Sequence, residues 1–157
     1  MHQSRMKGQF LRLNLIENRQ GELFCISSNL NKVDKKKILI VEDEKGMMEA
    51  LKESFEKAGF DVFTAQDGER AIEVTRKTTP DVILLDIILP RKNGFEVLKE
   101  WKSDKDTKEV PVVLCTNLSD MKDIQKAIDL GAKTYLLKSD YSLAAIVEKI
   151  REVLKDK

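Results

Sequence analysis

From residue 37 onward, short apolar runs alternate with longer amphipathic stretches. The runs are Ile38-Leu39-Ile40-Val41, Val62-Phe63-Thr64-Ala65, Val82-Ile83-Leu84-Leu85, Val112-Val113-Leu114-Cys115 and Tyr135-Leu136-Leu137. Three of them have almost no polar interruption, which is the composition of central parallel strands covered by helices on both faces. Between the runs, apolar residues recur at helical spacing: Met47, Met48, Leu51 and Phe55; Ala71, Ile72 and Val74; Phe95, Leu98 and Trp101; Ile124, Ala127 and Ile128; Ile146, Ile150, Val153 and Leu154. Gly59 and Gly131 stand where the first and fourth helices are expected to end, and Asp67 and Ser119 are the predicted N-caps. Five βα units in this order predict an α/β fold, a doubly wound (βα)₅ parallel sheet with helices on both faces. In such a sheet, ligands bind at the carboxyl ends of the strands.

Residues 1–34 do not share this rhythm. Leu11, Leu13 and Leu15 alternate with Arg12 and Asn14, and Asn18-Arg19-Gln20-Gly21 supplies turn residues before Leu23-Phe24-Cys25-Ile26. A two-stranded hairpin alone is marginal in water, so the segment is expected to be either a mobile leader or a weak hairpin. The polar stretch from Asn29 to Lys37 reads as a linker, and the domain itself is placed at 35–157.

Composition narrows the function. The 157 residues suit one globular domain, and 41% hydrophobic with 35% charged residues, 3 Pro and 7 Gly exclude collagen-like and low-complexity chains. Lys and Arg number 28 against 27 Asp and Glu, a formal net charge of +1 that does not suit a dedicated nucleic-acid binder. Cys25 and Cys115 stand apart with no Cys-x-x-Cys or Cys/His cluster, so no zinc site or disulfide framework is signalled, and a reducing cytoplasm is the expected location. No apolar run approaches the roughly 18 residues of a membrane span, and the charged N-terminus lacks the apolar core of a signal peptide.

The residues that end the apolar runs carry the chemistry. The first run leads into Glu42-Asp43-Glu44, the third into Asp86, the fourth into Thr116 and the fifth into Lys138. Singly, each has an ordinary explanation: acids at a helix start, a turn-capping aspartate, a strand-end threonine, a solvated lysine. Together they gather at one sheet edge. Glu42, Asp43 and Asp86 would repel one another unless a cation intervened, and hard oxygen donors with room for water suit Mg²⁺. A carboxylate nucleophile, a metal, a hydroxyl donor and an ammonium make a phosphoryl-transfer set.

Residues 37–157 resemble the receiver domain of two-component response regulators. The resemblance rests on four ordered motifs: Ile-Leu-Ile-Val-Glu-Asp-Glu (38–44), Pro-Asp-Val-Ile-Leu-Leu-Asp-Ile-Ile-Leu-Pro-Arg-Lys-Asn-Gly (80–94), Val-Pro-Val-Val-Leu-Cys-Thr (110–116) and Gly-Ala-Lys-Thr-Tyr-Leu-Leu-Lys (131–138). It implies a flavodoxin-like sheet with strand order 2-1-3-4-5. It also implies that Asp86 is the phosphoacceptor, Thr116 the switch hydroxyl, Lys138 the phosphate-contacting lysine and Tyr135 the switch aromatic. Mg²⁺ would be held by Asp43, Asp86, the backbone carbonyl of Ile88 and, through water, Glu42. Two positions depart from the family pattern: Ser139 follows Lys138 where proline is usual, and Asn117 replaces a small residue after Thr116.

The sequence runs to Lys157 after the fifth helix without a helix-turn-helix, so a stand-alone, chemotaxis-regulator-like receiver is expected. Its implied partners are a sensor histidine kinase or histidine phosphotransfer protein and a downstream target protein met by the surface of the fourth helix, fifth strand and fifth helix. No direct nucleic-acid contact is expected, and phosphorylation-dependent dimerisation stays open. The module is not an enzyme in the usual sense, although it assists its own phosphorylation and dephosphorylation. The alternatives are a phosphorylation-independent pseudo-receiver and an aspartate-nucleophile phosphatase. The latter needs an acid two residues after the nucleophile, where this chain has Ile88.

Overall fold

Strands buried on both faces must be apolar at every position, and the central runs obey that rule in the computed structural model, which describes residues 13–27 and 34–156. The chain divides between Asp34 and Lys35 into two compact units. In the first, β1 (Leu13–Glu17) pairs antiparallel with β2 (Leu23–Ser27), with Leu15 opposite Cys25. Asn18 Oδ1 accepts from the N–H groups of Gln20 and Glu22, an Asx-type turn completed by Gly21 at φ 77°. Leu11, Arg12 and residues 29–33 of the expected linker lie outside the described residues.

The second unit runs β3 (Lys37–Val41), α1 (Lys45–Lys57), β4 (Asp61–Ala65), α2 (Gly68–Thr78), β5 (Val82–Leu85), α3 (Gly94–Ser103), β6 (Val112–Thr116), α4 (Met121–Asp129), β7 (Thr134–Leu137) and α5 (Leu143–Lys155). Its five strands are parallel in the order β4-β3-β5-β6-β7, which is 2-1-3-4-5 counted along the unit. The two-residue strand period splits each run between two cores. Ile38, Ile40, Val82, Leu84, Val113 and Cys115 pack under α1 and α5, against Leu51, Phe55, Ile146 and Ile150. Leu39, Val41, Ile83, Leu85, Val112 and Leu114 pack under α2, α3 and α4, against Ala71, Leu98, Trp101 and Ala127.

Local chemistry sets the helix limits. Asp67 caps α2, its side chain accepting from Arg70 N–H, and Asn93 with Glu96 forms a capping box on α3. α1 ends in a Schellman motif: Gly59, at φ 90°, donates to Glu56 and Phe60 donates to Phe55. The Phe55 and Phe60 rings meet edge to face at 5.2 Å, the apolar contact that accompanies this motif. Gly131 at φ 98° ends α4 the same way. One expected cap is corrected: α4 is capped by Asp120, not Ser119, because Asp120 is the extended residue whose carboxylate accepts from Lys122 N–H.

The first residue of α3 is a glycine for lack of space. A Cβ there would stand 2.5 Å from Ile87 Cα and 2.6 Å from the Asp86 carbonyl oxygen, both main-chain atoms that no rotamer change can clear. Gly94→Ala is therefore expected to lose stability at the upper end of the roughly 1–3 kcal/mol typical of overpacking. Urea unfolding followed by circular dichroism checks this; an unchanged midpoint would contradict it.

Candidate functional site

The parallel register builds the site. Val41 is paired with Leu85, so Glu42 and Asp86, the next residue on each strand, emerge side by side, and Asp86 N–H donates to the Val41 carbonyl. Continuing the Leu85–Leu114 pairing sets Asp86 level with Cys115, one residue before Thr116. β7 ends at Leu137 and passes into a 3₁₀ turn, Lys138–Asp140, through a trans Lys138–Ser139 bond. Lys138 is the first residue of that turn and reaches back across the edge.

Glu42, Asp43 and Asp86 each place a carboxylate oxygen within 4.8 Å of the other two. Glu42 and Asp86 are buried, whereas Asp43 is exposed and faces solvent. The Lys138 ammonium donates to Asp86 Oδ2 at 2.7 Å and to Glu42 Oε2 at 2.5 Å. The remaining oxygens are also engaged: Asp86 Oδ1 accepts from Ile88 N–H at 3.1 Å, and Glu42 Oε1 accepts from Glu44 N–H at 3.1 Å.

Burial pushes the Glu42 carboxyl above its ordinary range, against the pull of the Lys138 hydrogen bond. For Lys138, burial disfavours the ammonium, but its hydrogen bonds to Asp86 and Glu42 prevail and hold it above the usual lysine value. Lys138 is thus a cation throughout the physiological range. When all three acids are ionised, three carboxylates against one ammonium leave two negative charges, the charge of one divalent cation. Hard oxygen donors with one side open to water are the donor set that suits Mg²⁺.

Thr116 and Tyr135 form a second group, joined to each other through Leu118. The buried Thr116 Oγ1 accepts from Leu118 N–H at 3.4 Å, and the Tyr135 hydroxyl donates to the Leu118 carbonyl at 2.5 Å. Leu118 was not legible as a participant, because it contributes only backbone atoms. Burial raises the Cys115 thiol to about 12, so this neighbour of Thr116 is no nucleophile at neutral pH. Ile88 is 54% exposed beside Asp86.

Comparison with known proteins bears on the fold and the family. The family model for the response regulator receiver domain matches residues 38–151. A probable transcriptional regulator ycf27 of Guillardia theta is 35% identical over 141 residues, covering 90% of this chain and 51% of that protein. The chain spans about half the length of the curated relatives it matches. Among solved structures, the chemotaxis protein CheY4 of Vibrio cholerae superposes with a TM-score of 0.71 at 26% identity, covering 76% of this chain and 98% of that one. The BeF3-activated N-terminal receiver domain of Klebsiella pneumoniae RstA gives 0.70 at 30% identity, over 76% and 98% of the two chains. Among the described residues, no helix is long and apolar enough to cross a membrane. With the family match running from the first strand of the parallel sheet into the last helix, the chain belongs to the response regulator receiver domain family.

Proposed function

We propose that this chain is a cytoplasmic phosphoacceptor module that takes a phosphoryl group on Asp86 from the phosphohistidine of a sensor kinase or histidine phosphotransfer protein. The observation that carries this is the buried Asp86 carboxylate, set between the Lys138 ammonium and two further acids at the strand ends. An Asp86 oxygen forms the new P–O bond as the P–N bond to the donor imidazole breaks. The imidazole nitrogen keeps the electron pair and takes up a proton from solvent. Little more is required of the protein than position and charge.

Asp43, Asp86 and the Ile88 carbonyl, with Glu42 through water, are the proposed Mg²⁺ holders. A bound divalent cation neutralises charge on the phosphoryl oxygens. Lys138 contacts the same oxygens once a phosphoryl group is present, and Thr116 donates its hydroxyl to one of them. Movement of Thr116 shifts Leu118, and with it the Tyr135 hydroxyl, so phosphorylation biases the surface formed by α4, β7 and α5. A partner that binds one state of that surface better reads the signal. The names of the curated relatives make a transcriptional target the first to test.

Fluorine NMR with beryllofluoride, the activating group named for the RstA receiver, tests the site without knowledge of the kinase. A bound signal is expected from the wild type only with Mg²⁺, and none from Asp43→Ala. A folded wild type that shows no bound signal with Mg²⁺ overturns the proposal in favour of a module that binds partners without phosphorylation.

A further inference from the structure

The loop from Asp86 to Asn93 carries the candidate phosphoacceptor at one end and starts α3 at the other. Within it, Ile88 N–H donates to Asp86 Oδ1 and Gly94 N–H closes onto the Ile87 carbonyl at 2.8 Å. Its outer half is held by two ion pairs: Lys92 with Glu100 on α3, and Arg91, at φ 66°, with Asp67 at 3.6 Å. Against that half lies the first residue of α2. A Cβ on Gly68 would stand 2.2 Å from the Lys92 carbonyl oxygen and 2.7 Å from both Lys92 Cβ and Val97 Cγ2.

The nearest of these atoms is main chain, so one of the two backbones would have to move. α2 is the stiffer side: Asp67 caps it, and Ala71, Ile72 and Val74 anchor it in the core. The loop would therefore yield, and it is continuous with Asp86 six residues before Lys92.

We infer that Gly68 is a positioning residue for the acidic pocket: the close approach its missing side chain permits keeps Lys92 seated on α2, and so holds Ile88 and Asp86 in register with Glu42 and Asp43. Gly68 touches neither ion nor phosphoryl group and acts through the loop. The inference rests on the Mg²⁺ site proposed above.

The test is the Mg²⁺ dissociation constant, measured by calorimetry on the full chain. Gly68→Ala is expected to raise it about tenfold or more, the scale of lost second-layer support at metal sites. Val153→Ala, in α5 under the opposite sheet face, is the control for a general loss of stability and is expected to leave it unchanged. Glu100→Gln, which loosens Lys92 without adding bulk, is expected to raise it by a smaller factor and serves where Gly68→Ala does not fold. An unchanged constant in folded Gly68→Ala, or in Glu100→Gln where it stands in, overturns the inference while leaving the Mg²⁺ site in place. A wild type that takes up no Mg²⁺ overturns both.

Discussion

Asp86→Asn is expected to abolish phosphoryl uptake while leaving the fold intact. The amide that replaces the carboxylate has no nucleophilic oxygen of comparable strength, so no P–O bond forms at this position. The structural duties of Asp86 largely survive the exchange. The amide oxygen can still accept from Ile88 N–H, and Lys138 keeps its pair with Glu42. Loss of the Asp86–Lys138 attraction is partly offset by loss of the Asp86–Glu42 repulsion, which in the wild type helps push the Glu42 carboxyl up. The net change in stability is expected to stay within about 1 kcal/mol. Intact mass after incubation with acetyl phosphate and Mg²⁺ should show one added phosphoryl group on the wild type and none on the variant. Uptake by Asp86→Asn at the wild-type rate would move the phosphoacceptor elsewhere, with the exposed Asp43 as the first candidate.

The sheet was readable because its physics is local. Ile38 to Val41 and Val82 to Leu85 are apolar at every position since both faces are covered, and the strand period then assigns alternate residues to the two cores without further information. The polar ends of those runs were readable for the same reason: Asp86 interrupts apolar sequence on both sides. What the chain order hides is reach. Lys138 meets Glu42 and Asp86 at separations of 96 and 52 residues, and only the β6–β7 crossover brings it there. The roles of Gly68 and Gly94 were hidden for another reason. A glycine beside a cap residue looks like turn chemistry, whereas here the need is space against Lys92 and Asp86, which belong to other segments or to the preceding loop. Ser119 and Asp120 are both capping residues, and choosing between them requires knowing which one is extended where the helix begins.

Lys138→Met should expose how strongly the pocket depends on its one internal cation. The three side chains of the pair network are nearly dry, with Lys138 at 12%, Asp86 at 6% and Glu42 at 2% relative exposure. Removing the cation of this network leaves the Glu42 and Asp86 carboxylates buried without it, which costs about 3–5 kcal/mol. Part of that loss is avoidable by protonation, and the sign follows from Glu42. Its folded carboxyl already lies above the ordinary 4.5 through burial, and losing the ammonium that pulls it down raises it further. The native variant then holds a proton that the unfolded chain has released, so stability falls as pH rises from 4.5 through the native value. Lys138→Met should accordingly be weaker relative to wild type near about pH 7.5 than near about pH 5. Trp101, the only tryptophan and buried in the core, reports unfolding in urea at both values. Adding Glu42→Gln removes the carboxyl that protonates, and the double variant is expected to regain stability at the higher pH and lose the pH dependence. Mg²⁺ at about 100 times its dissociation constant should restore up to about 2.7 kcal/mol by binding only the folded form. A deficit equal at both pH values would show that Lys138 contributes packing rather than charge, and the balance of three acids against one cation would lose its support.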